Sequence, residues 1–180
     1  MALHSSIWRI ASSSLAVAAA IVLSSQLAQA QYTWKQDTDS LGNWDDPANW
    51  LDGGSNTTFP NGAGVTAYLK APISSNNATY QMTMPSSVTL GQLTIDNTGW
   101  PNTYSVNFIS GNEIIFDSNS TGVAAKYIQL PGTSTMNPPA TRVTINQTLS
   151  LHSDLLIQQD DYPHLNTGTT FTGLINGDST

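Results

Sequence analysis

The chain has no cysteine. No disulfide can staple it, so packing and backbone ladders alone must hold its fold. Basic residues are nearly as scarce: Lys and Arg together number 5 in 180 residues, against 12 Asp and Glu. The formal net charge of −7 repels phosphate backbones, which argues against a nucleic-acid partner, and it disfavours anionic lipid surfaces. Charged residues of either sign make up only 9%, so Thr, Ser and Asn carry the polarity. Long apolar runs are missing too. The run Leu15–Leu23 has nine residues, whereas a membrane-spanning helix needs about 20. No G-x-S-x-G, P-loop or G-x-G-x-x-G pattern occurs, which removes the signatures of several hydrolase and nucleotide-binding classes.

What is present begins with an export pattern. Met1 to Arg9 carries Arg9 as its only fixed charge, LAVAAAIVL follows, and Ala28-Gln29-Ala30 places small residues where a signal peptidase reads. Residues 1–30 therefore read as a secretory signal peptide cleaved after Ala30. The mature chain would start at Gln31, be secreted or held at the cell surface, and have no membrane span. Its 150 residues suffice for one domain with a core. Its basic residues are Lys35, Lys70, Lys126 and Arg142 only.

The head of the mature chain, residues 31–64, is organised around Trp34 to Trp50, WKQDTDSLGNWDDPANW. It holds Trp34, Trp44 and Trp50, three of the five tryptophans. Leu41-Gly42-Asn43 and Asp45-Asp46-Pro47 carry turn chemistry, so the segment reads as irregular structure. Two roles compete for the aromatics. Trp44, Trp50 and Tyr32 would form a stacking platform for sugar rings, or the tryptophans would cover the open end of a β structure. We favour the cover, because burying a Trp removes roughly 150–250 Å² from water and an uncovered edge invites aggregation.

Residues 65–180 are a series of short strand patterns. Val65–Leu69, Thr79–Met84, VTLGQLTID from Val88, YSVNF from Tyr104 and Ile114-Ile115-Phe116 come first. Tyr127-Ile128 with Leu130, Val143 with Ile145, Leu149 with Leu151, Leu155–Ile157 and Phe171 with Leu174-Ile175 follow. Alternation bounded by Asn, Gly, Ser and Pro is the strand signature. The fold class is all-β. LTID at Leu93, IIFD at Ile114 and VTIN at Val143 look loosely alike, as coils of a parallel β-helix would. A β-sandwich, with strands recurring every 8–12 residues or so, is the alternative.

The signal peptide, the W…GNW…P-A-N-W head and segments such as VTLGQLTIDNTG together resemble the N-terminal region of secreted bacterial proteins with autotransporter-associated β-strand repeats. Some members of that class end in a surface-sorting tail. Phe171, Leu174, Ile175 and Gly177 stand where the lead-in to the first repeat would be, but the full glycine-rich repeat is missing. The resemblance implies a right-handed parallel β-helix start with an N-terminal aromatic cap, no catalytic residues, and coils that continue past Thr180. The expected role is a non-catalytic surface scaffold, adhesive towards polysaccharide or cell-surface components, with self-association at the C-terminal edge. A carbohydrate-binding β-sandwich module is the alternative.

Other constellations carry less. Asp37, Asp39, Asp45, Asp46 and Asp52 invite a calcium reading, but Leu41 and Ala48 stand where an EF-hand loop needs ligands. No metal or cofactor is expected. Asp160-Asp161 with His164 is similar to the paired acids of β-helical polysaccharide hydrolases, without their companion basic motifs. His152 alternates with Leu149 and Leu151 and should lie on a solvent-side strand position. Sequons at Asn56, Asn77, Asn119 and Asn146 matter only in a glycosylating host.

Overall fold

A computed structural model describes residues 30–35, 40–52, 57–70, 78–98, 104–130, 141–159 and 168–177. They are all-β. Fifteen strands occur: β1 (Gln31–Trp34), β2 (Ser40–Asn43), β3 (Trp50–Leu51), β4 (Thr66–Lys70), β5 (Ala78–Met84), β6 (Val88–Leu90), β7 (Gln92–Asp96), β8 (Tyr104–Gly111), β9 (Ile114–Phe116), β10 (Ala125–Leu130), β11 (Thr141–Ile145), β12 (Leu149–Leu151), β13 (Leu155–Gln159), β14 (Gly168–Phe171) and β15 (Ile175–Gly177). A single 3-10 turn, Pro47–Asn49, interrupts them.

The strands build three sheets. The first runs β13-β10-β7-β4-β1-β3, the second β14-β11-β8-β5-β2 and the third β15-β12-β9-β6. From β4 onward the chain visits first, second and third sheet in turn, four times over. The ladders join parallel strands three places apart in the chain. The exception is β3, which pairs antiparallel with β1. One round is 26 residues where Thr66 faces Gln92, Met82 faces Phe108 and Val88 faces Ile114. The next round lengthens: Gln92 faces Lys126, Phe108 faces Ile145 and Ile114 faces Leu149.

Parallel register and a side-chain period of two put like positions on top of one another. Met82, Phe108, Ile145 and Phe171 form one inward column. Val88, Ile114, Leu149 and Ile175 form another, and Ala67, Leu93, Tyr127 and Ile157 a third. Short strands of Thr, Val and Ile suit this, since β-branched side chains pack well on a pleated surface. Apart from Phe171, Ile157 and Ile175, these column residues are buried. At the end of β8, Gly111 has φ +123° and lies so close to the round before that a Cβ would overlap the Met84 carbonyl.

Two expectations are corrected. The head is not irregular: it contributes β1, β2, the 3-10 turn and β3. Gly42 lies inside β2 because the Trp34 ring occupies the place of a Cβ there, so the Leu41-Gly42-Asn43 turn is a strand. LTID, IIFD and VTIN are not one repeated position. They fall on β7, β9 and β11, each in a different sheet.

Candidate functional site

Chain reversal in the head creates the most elaborate local structure. The third sheet begins only with β6. On the first pass the chain leaves β2 at Asn43, turns through Trp44 to Asn49 and returns as β3 beside β1. Asp46 starts the 3-10 turn by accepting a hydrogen bond from Ala48 N–H at 2.9 Å, and Pro47 suits its first position. Buried Asn49 donates its side-chain amide to the Asn43 carbonyl at 2.9 Å.

The three tryptophans that the sequence singled out are brought together. Trp34 meets Trp50 edge to face with centroids 4.9 Å apart at 82°. Trp50 meets Trp44 at 4.7 Å and 64°. Edge-to-face pairs add about 0.5–1.5 kcal/mol beyond area burial. Trp44 reaches Phe108 of β8 at 5.9 Å, and Trp34 reaches Tyr80 of β5 at 6.4 Å. Trp44 and Trp50 are 0% exposed. Their indole N–H groups donate to backbone carbonyls, Trp44 to Pro60 at 2.9 Å and Trp50 to Trp44 at 2.7 Å. Trp34 is also buried, and its indole N–H meets no acceptor among the described residues, a cost of about 1–3 kcal/mol.

A sugar-stacking ring must offer a free face, and neither Trp44 nor Trp50 has one. Tyr32, the third member of that platform, is partly buried against the core and shares a 3.0 Å hydrogen bond with the Thr58 hydroxyl. Thr58 in turn donates to Asp52 at 3.2 Å. This ties the 57–60 link down over the head.

The remaining candidates are dispersed. Asp46 and Asp52 serve the turns just described, Asp45 is half-buried beside them, and Asp37 and Asp39 lie outside the described residues. Among the described residues no three His, Asp or Glu side chains converge as a metal set would. Asp160, Asp161 and His164 lie outside the described residues. His152 is exposed, but on the bend after β12 rather than on the strand, because the chain leaves the ladder at Leu151. Asn56 and Asn77 lie outside the described residues. Asn119 occupies an exposed turn at φ 58°, and Asn146 accepts from the Thr172 hydroxyl at 2.5 Å.

Sequence reasoning missed a polar cluster on the first sheet. Asp96 is buried, yet its carboxylate accepts from the Tyr68 hydroxyl, from Thr98 N–H at 2.7 Å and from the Thr98 hydroxyl at 2.6 Å. Burial, and then the hydrogen bond to Asp96 and its charge, push the Tyr68 hydroxyl well above the usual tyrosine range. The only signal for this pair is the 26-residue round, which sets β4 against β7. A second cluster joins the Tyr127 hydroxyl to Thr169 at 2.6 Å, and Thr169 to the buried Gln129 at 2.5 Å. Both clusters tie neighbouring rounds together and have their polar groups matched internally.

No helix among the described residues is long and apolar enough to cross a membrane. Scanned against protein-family models, curated proteins and solved structures, the chain matches none of them.

Proposed function

We propose that this chain is an exported, non-catalytic structural scaffold built as a right-handed parallel β-helix with an aromatic cap at its N-terminal end. The observation that carries the proposal is the burial of Trp44 and Trp50, with both indole N–H groups spent on backbone carbonyls. Aromatics committed in this way close a structure rather than receive a ligand. Parallel pairing at intervals of one full round supports the helix over the sandwich, whose sheets are antiparallel. The right hand follows from the general preference of parallel crossovers. The apolar run before Ala28-Gln29-Ala30 supports export to the cell surface or beyond.

The competing function, a carbohydrate-binding module, is tested on the same residues. The exported chain is incubated with insoluble polysaccharides, sedimented, and compared with Trp44→Ala. Both are expected to stay in solution. Retention of the parent that the substitution abolishes, with the fold intact by circular dichroism, would overturn the scaffold proposal.

A further inference from the structure

The bends that lead from the second sheet to the third stack on one another, as the strands do. Phe108, Ile145 and Phe171 face one another before the bend, and Ile114, Leu149 and Ile175 after it. Between β11 and β12 the bend is Asn146-Gln147-Thr148. It is tied to the round before it at both ends. Asn146 N–H donates to the Phe108 carbonyl at 3.3 Å, and the Thr148 carbonyl accepts from Ile114 N–H at 2.9 Å. Burial alternates through it: Ile145, Gln147 and Leu149 are buried, and Asn146 is exposed. Gln147 therefore continues the inward series of its two strands, and it is only 3% exposed.

A carboxamide is out of place between Ile145 and Leu149. It carries two N–H donors and a carbonyl acceptor. Neither its Oε1 nor its Nε2 has a hydrogen-bond partner in the protein among the described residues. The corresponding bends of the neighbouring rounds explain why. Gly111 stands at the centre of one and Gly173 at the centre of the other, and glycine has no side chain to offer. Ser110 and Asn112 beside Gly111 are exposed, and the Asn112 amide donates to the Pro85 carbonyl at 2.6 Å. Thr172 beside Gly173 turns its hydroxyl to Asn146 on the outer rim.

We infer that the Gln147 amide holds a buried water molecule inside the stack, at the corner between the second and third sheets. Leaving a buried amide unpaired is costly, so a polar ligand is favoured there. That ligand must donate and accept at once. An anion could use only the N–H groups and a cation only the carbonyl. Neither would find a counter-charge nearby, because Arg142 is exposed and Glu113 is engaged by the Ser150 hydroxyl at 2.7 Å. A water does both. It accepts from the N–H that lies cis to the carbonyl and donates to that carbonyl. These are two of the roughly three hydrogen bonds a buried water makes, and main-chain groups of the bends supply the remainder. The inference rests on the burial and register of this bend, and not on the exported scaffold role.

The test is nuclear magnetic resonance on the nitrogen-15-labelled mature chain. The side-chain amide pair missing from the spectrum of Gln147→Met identifies the Gln147 signals. In the parent these should show cross-peaks to water of opposite sign in the laboratory and rotating frames, the mark of a water held as long as the molecule tumbles. Oxygen-17 relaxation dispersion, which counts such waters, should find one fewer in Gln147→Met. If that variant does not fold, selective glutamine labelling of the parent assigns the signals and its cross-peaks still decide. Absent cross-peaks, cross-peaks of one sign only, or an unchanged water count in a folded Gln147→Met would each overturn the inference. Any of these would leave the scaffold proposal standing, since that is decided by the polysaccharide sedimentation above.

Discussion

Trp50 donates its indole N–H to the backbone carbonyl of Trp44 at 2.7 Å, while their rings meet edge to face at 4.7 Å. One residue thereby satisfies the polar backbone of the other and packs its apolar surface. The five residues between them form the reversal that takes the chain from the second sheet back to the first. Ring contact and hydrogen bond together fix that reversal, and the ring of Trp44 then carries it inward to Phe108.

Replacing Trp44 by alanine should therefore act on the whole stack. Loss of a fully buried aromatic costs about 3–5 kcal/mol. In a chain of this size that lowers the melting midpoint by on the order of 10 °C. Trp44→Phe, which keeps most of the burial and loses only the bond to Pro60, should cost distinctly less. Thermal melts followed by circular dichroism would decide; equal midpoints for parent and Trp44→Ala would show that the ring does not hold the end together.

Two glycines separate backbone conformation from close approach. Gly111 and Gly122 both have positive φ, but only Gly111 has a neighbouring carbonyl where a Cβ would go. Gly122→Ala should cost about 1–3 kcal/mol, the usual strain of such a conformation. Gly111→Ala should cost more, because the Met84 backbone must move as well. Urea midpoints of the two variants measure the difference, and equal losses would mean that the rounds pack less tightly at this bend than described.

Stability should fall at high pH. Burial pushes the Tyr127 hydroxyl well above the ordinary tyrosine value, with its hydrogen bond to Thr169 pulling weakly the other way. Below about pH 10 both folded and unfolded chains keep this proton, so it adds no pH dependence. Above that, the unfolded chain loses the proton first and binds fewer protons than the folded one. Stability then drops by about 1.4 kcal/mol per pH unit for this group. Tyr68 acts in the same direction. Urea unfolding between pH 8 and pH 11 should show the decline, and Tyr127→Phe should shallow it; a flat profile would contradict the burial of that hydroxyl.

The sequence by itself determined the secondary-structure class of the chain. Alternation of apolar and polar residues is a local signal, so Thr79–Met84, Tyr104–Phe108 and Val143–Ile145 were legible as strands without knowing their neighbours. The prominence of Trp34, Trp44 and Trp50 was legible too, because large aromatics in a chain this polar must find a place out of water. Only the tertiary structure decided which strand lies beside which. Register depends on contacts between residues a full round apart, and local likeness misleads about it: LTID, IIFD and VTIN resemble one another yet belong to three sheets. The same holds for the bond from Tyr68 to Asp96, and for Gly42, whose place in a strand is dictated by a ring eight residues earlier in the chain. Whether an isoleucine is covered was decided in the same way. Ile145 and Ile157 carry the same side chain in similar strands, but among the described residues Ile145 has a round on either side and Ile157 has one on only one.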